Sequence, residues 1–73
     1  MSKLPILSGK ELIKILQKHD FEIVGQKGSH VRLKKITEER IYITVVPLHD
    51  TISPGTLLSI LKQVNLEKED LLD

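Results

Sequence analysis

The dipeptide Gly28-Ser29, set between two runs of alternating apolar and polar residues, constrains this chain more than any other feature. A glycine followed by a small hydroxyl residue closes a two-residue hairpin. The runs on either side must then pair as antiparallel neighbours. The first starts near Phe21, as Phe21-Glu22-Ile23-Val24, and reaches Gln26 or Lys27. The second runs from His30 to about Lys35. Side chains alternate between faces along a strand. Val31 and Leu33 therefore face a core, and His30, Arg32 and Lys34 face away. Thr37-Glu38-Glu39 is a polar turn, and a third strand follows from Arg40 to Val46. Ile41, Ile43 and Val45 form one of its faces; Tyr42, Thr44 and Val46 form the other. Pro47 lacks an N–H and ends it.

A helix is predicted on each side of this meander. Ser8-Gly9-Lys10-Glu11 has the form of a capping box, opening a helix from Gly9 to about His19. Leu12, Ile13, Ile15 and Leu16 supply its apolar face. Leu48 to Ile52 is a loop. Ser53 then caps a second helix with Pro54 in its first turn, where a missing N–H costs nothing. Leu57, Ile60, Leu61 and Val64 form its stripe, Asn65 breaks or caps it, and Leu66 to Leu72 adds a short helical turn. The expected fold is α+β: one small αβββα domain over residues 1–73, with a three-stranded antiparallel sheet and both helices on one face. The other face stays open and carries His30, Arg32, Lys34 and Tyr42.

Seventy-three residues allow a single thin core, built from Leu, Ile and Val with one Phe, one Tyr and no Trp. The chain has no cysteine, which fits a reducing interior and excludes thiolate metal sites and disulfides. No apolar run approaches the roughly 18 residues of a membrane span. The segment Met1 to Leu7 lacks a signal-peptide core, so a cytoplasmic location is expected. The net charge of +1 hides an asymmetry. Residues 1–36 hold eight Lys/Arg against three acids, and residues 37–73 hold three against seven. Between Val24 and Thr37 lie four cations and no acid. Such a local field suits a polyanion.

His30 puts one titratable imidazole beside the fixed charges of Arg32 and Lys34. That combination can hold a phosphodiester and move a proton near it. Gly28 can take positive φ in the turn, and Ser29 caps the turn or touches a phosphate. Tyr42 can stack a base or simply fill sheet surface. The N-terminus of the second helix at Pro54-Gly55-Thr56 offers N–H groups to an anion, though a plain helix start is the preferred reading. His19, His30 and His49 show no metal-ligand spacing, so no metal and no small-molecule cofactor are expected. His49-Asp50 reads as turn chemistry.

The ordered set of motifs resembles the HicA family of toxins, the YcfA-type mRNA interferases. The resemblance is carried by Ser8-Gly9-Lys10-Glu11-Leu12-Ile13, by Phe21-Glu22 through Gly28-Ser29-His30, by Val46-Pro47-Leu48-His49, and by Pro54 to Val64. Val31 stands where family members commonly carry a second aromatic residue or His. The resemblance implies a fold like a double-stranded-RNA-binding domain, cleavage of mRNA and neutralisation by a HicB-type antitoxin. It places the family's active histidine at His30 and the preceding glycine at Gly28. On that reading His30 is the general acid/base, the Gly28-Ser29 turn supports it, and Lys27, Arg32, Lys34 and Tyr42 contact RNA. A non-catalytic RNA-binding module using the same basic face is the alternative, and a protein-binding sheet face is a third.

Overall fold

The computed structural model describes residues 4–72. The expectation of no signal-type core at Met1 to Leu7 therefore falls partly outside the described residues. The element order is helix, three strands, helix, with a short 3₁₀ turn at the end. Helix α1 spans Gly9–Lys18, β1 Glu22–Lys27, β2 His30–Ile36, β3 Ile41–Pro47 and α2 Pro54–Val64; the 3₁₀ turn spans Lys68–Leu71. The sheet order is β1-β2-β3, antiparallel throughout. This is the expected αβββα domain, consistent with a double-stranded-RNA-binding-domain-like fold.

Local chemistry sets the element ends. Ser8 Oγ accepts from the Glu11 N–H at 3.1 Å, and a Glu11 carboxylate oxygen accepts from the Ser8 N–H at 2.9 Å. The predicted capping box is thus complete. Ser53 caps α2, and Asn65 ends it in the left-handed region at φ 57°. At the first hairpin Lys27 pairs with His30, and Gly28 has φ +59° while Ser29 does not take positive φ. Positive φ at the first central residue alone is the type II′ pattern, which suits the twist of the flanking strands.

Among the described residues fourteen hydrophobic side chains are buried, including Leu12, Leu16, Leu33, Val46 and Leu57. They come from both helices, β2, β3, Leu7, Phe21, Ile52 and Leu71 of the 3₁₀ turn, and form one cluster on the helix side of the sheet. Thr44 is the buried polar residue among them; its hydroxyl donates to Gln63 Oε1 at 2.7 Å, which ties β3 to α2. Gly9 seats α1 against the end of β3. Its N–H donates to the His49 carbonyl at 2.9 Å. An added Cβ there would overlap Pro47 O and stand 2.9 Å from Leu48 Cα. Only glycine fits this approach.

The third strand corrects the sequence reading. The turn is two residues, Glu38-Glu39, closed by Thr37 and Arg40: the Thr37 N–H donates to Arg40 O at 2.9 Å, and the Thr37 hydroxyl bonds to Arg40 as well. Ile36 then pairs with Ile41, Lys34 with Ile43, Arg32 with Val45, and His30 with Pro47. Cross-strand partners share a face. Ile41, Ile43 and Val45 therefore lie on the open face, and Thr44 and Val46 lie in the core. Tyr42, expected on the open face, pairs with Lys35 on the helix side, packs against the core, and lies beneath the Arg40 guanidinium at 4.9 Å. A turn one residue shorter than the sequence suggests reverses the faces of the whole strand.

Candidate nucleic-acid interface

The open face is built from two cross-strand rows near the first hairpin. One row is Lys27, His30 and Pro47, and the next is Gly25, Arg32 and Val45. Adjacent strands lie about 4.8 Å apart, and successive rows on one face about 7 Å apart. His30 is thus flanked by Lys27 across the strand pair and by Arg32 along its own strand. His30, Arg32 and Lys27 are all exposed. Pro47 opposite His30 occupies a site whose N–H would point away from β2: the neighbouring Leu48 N–H donates to Ser29 O at 2.7 Å, and the inward bonds alternate along β3. The proline therefore costs no ladder bond.

A β-bulge in β1 shapes the same region. The register shifts between Ile23 and Gly25, leaving Val24 unpaired. The bulge sets Gly25, which has no side chain, opposite Arg32. A hollow of about 560 Å³ opens there, lined by Gly25, Gln26, Lys27, His30, Arg32 and Val45. Nothing lies within 4 Å of where a Gly25 Cβ would stand. Gln26 braces the rim, since its Nε2 donates to Gly28 O at 3.0 Å. The lining contains two fixed cations and no acid.

The far end of the face differs. Lys34 pairs with Glu22, and a smaller hollow there, about 180 Å³, includes Asp20, Glu22 and Lys34. Nearby acids offset the Lys34 charge. The acid-free end holds Lys27, His30 and Arg32. Lys35 is on the opposite side, its ammonium 5.8 Å from the Phe21 ring centre.

The structure brings Lys27, Gly28, Ser29, His30 and Arg32 to one end of the open face, sets Lys34 at its other end and removes Tyr42 from it. His19 caps α1, and His49 follows β3 in an exposed loop. Among the described residues no three His, Cys, Asp or Glu side chains cluster as a metal site would require. Among them, too, no helix is long and apolar enough to cross a membrane.

Sequence reading missed two features. The first is the Gly25 hollow, whose signal was an isolated glycine inside a strand pattern. The second is an apolar flank on the open face: Ile36, Ile41, Ile43 and Val45 are 69%, 54%, 53% and 41% exposed. The face therefore offers a cationic end for a polyanion and an apolar flank for a protein.

No curated protein and no solved structure matches the chain. The family described as "HicA toxin of bacterial toxin-antitoxin" matches residues 9–66, from the glycine that seats α1 to the residue after the α2 cap. The match takes in the sheet, both helices and the hollow around His30, and by it the chain belongs to the HicA toxin family and is the toxin type of a bacterial toxin–antitoxin system.

Proposed function

We propose that this toxin is an endoribonuclease that cuts mRNA without a metal ion, with His30 as general acid/base. The observation that carries the proposal is the placement of His30 between Lys27 and Arg32 at the acid-free end of an open face. RNA brings its own nucleophile. Neutral His30 takes the proton of a 2′-hydroxyl, and that oxygen attacks the adjacent phosphorus. The P–O5′ bond breaks, the leaving oxygen gains a proton from water or from the imidazolium, and a 2′,3′-cyclic phosphate remains. Lys27 and Arg32 stabilise the charge that builds on the phosphorane oxygens. Lys34 extends the phosphate grip along the face. The Gly28-Ser29 turn fixes where β2 begins, and so where His30 stands. One acid–base group is worth about 10²–10⁴-fold, so a slow enzyme is expected.

RNA and a HicB-type antitoxin are the proposed partners. An antitoxin that covers His30 must offset the cations it buries, and so it places Asp or Glu opposite Lys27, Arg32 or Lys34. Its apolar contacts fall on the flank formed by Ile36, Ile41, Ile43 and Val45. The non-catalytic RNA-binding module is the second reading, favoured by the presence of a single imidazole in the hollow. Cleavage of RNA by purified protein in excess chelator, with cyclic phosphate ends, supports the nuclease. Binding without cleavage supports the module. Activity lost on chelation and restored by a divalent ion refutes the mechanism.

A further inference from the structure

We infer that the Gly25 hollow is a subsite for one unpaired ribonucleotide, and that Gly25 makes the protein select single-stranded over duplex RNA. This rests on the RNA-directed reading of the open face and deepens it. The bulge spends Val24 to bring a residue without a side chain opposite Arg32. Gly25 lines the hollow, and the space its Cβ would take is open, so a larger side chain at position 25 has room to fill part of it. The walls are Lys27, His30 and Arg32; the floor is bare β1 backbone and Val45. Cations on the walls select a phosphate-bearing ligand. A recess of about 560 Å³ between two rows of side chains has room for a base turned out of its strand. An A-form duplex keeps its bases stacked inside and presents a convex backbone, so it can touch the walls but not enter. Tyr42 lies on the other face, which leaves the Arg32 guanidinium and the His30 imidazole as the planar groups of the hollow against which a base can stack.

The conformation of Gly25 permits the test. Its φ is not in the left-handed region, in contrast with Gly28. Gly25→Ala and Gly25→Leu are therefore compatible with the backbone. Binding is measured with a fluorescent single-stranded 2′-fluoro RNA 12-mer, which has no nucleophile, and with the same strand in a perfect duplex. Wild-type protein should bind the single strand at least tenfold more tightly than the duplex. Gly25→Leu should lose at least tenfold in single-strand affinity and leave duplex affinity within twofold. Gly25→Ala should fall between, and its melting temperature should match or exceed that of the wild type. Should Gly25→Leu unfold, the Gly25→Ala comparison decides. Equal single-strand affinity in wild type and the folded variants overturns the subsite, as does equal wild-type affinity for the two RNAs. Because the probe cannot be cut, the same losses in a protein that cleaves no RNA would uphold the subsite and refute the nuclease reading.

Discussion

Replacing Gly9 with alanine tests how α1 is seated on the strand that ends beside His30. The new Cβ would overlap Pro47 O and stand 2.9 Å from Leu48 Cα and 3.0 Å from Pro47 C. Carbon atoms in comfortable contact stand about 3.5–4.0 Å apart. The obstacle is backbone on both sides, so no side chain can rotate away. The helix start must withdraw by roughly 1 Å, which stretches the 2.9 Å bond from Gly9 N to His49 O. Overpacking of this kind costs about 1–3 kcal/mol, and a weakened hydrogen bond adds about 0.5–1.5 kcal/mol. Against this, alanine gains up to about 1 kcal/mol in helix propensity. The net expectation is a loss of about 1–3 kcal/mol, or a fall in Tm of roughly 5–20 °C for a domain of this size. Gly55→Ala is the matched control. It lies in the first turn of α2, and a Cβ there meets nothing within 4 Å. It should hold or raise Tm. Urea and thermal melts of the two variants decide the matter. A Gly9→Ala protein as stable as Gly55→Ala refutes the close-approach argument.

The site and the caps each give further outcomes. Arg32→Ala should reduce the slope of log K against log salt for single-stranded RNA by about 0.7, one phosphate contact, and Lys34→Ala should reduce it less because Asp20 and Glu22 share its hollow and repel phosphate; an unchanged slope in both places the RNA elsewhere. Ser8→Ala should cost about 1 kcal/mol in denaturant melts at neutral pH, through loss of the cap. The backbone and side-chain hydrogen bonds of Ser8 hold the Glu11 carboxyl below its ordinary value; desolvation opposes them, and the Lys14 charge adds to the lowering. Glu11's contribution is therefore present above the unfolded value and is lost as pH falls through the lower folded one. The stability difference between wild type and Glu11→Gln should vanish in that acid range, and a difference that persists there contradicts the cap assignment.

The parts of this fold that sequence revealed are those fixed by local chemistry. Ser8 and Glu11, Gly28-Ser29, Ser53-Pro54 and Asn65 each have one conformation that satisfies their neighbours, and each took it. The third strand was harder because both of its faces are apolar enough for a core. Ile41, Ile43 and Val45 compete with Tyr42, Thr44 and Val46, so alternation alone could not choose. The choice lay in the length of the preceding turn, where Thr37 turned out to pair with Arg40. His30, Arg32 and Lys34 were legible because Val31 and Leu33 fix the phase of β2. The hollow was not, because a bulge is decided by cross-strand packing, of which Gly25 is only a hint.

The central claim is that His30 performs the chemistry. It is tested most directly by comparing wild-type protein with His30→Ala on a single-stranded RNA in excess chelator, with melting curves and RNA affinity measured on the same preparations. His30 is exposed, and none of its side-chain atoms holds another element in place, so the variant should melt within a few degrees of wild type. It should still bind RNA through Lys27 and Arg32, and its cleavage rate should fall by at least about 10²-fold. A folded His30→Ala protein that cuts RNA at the wild-type rate would contradict the account.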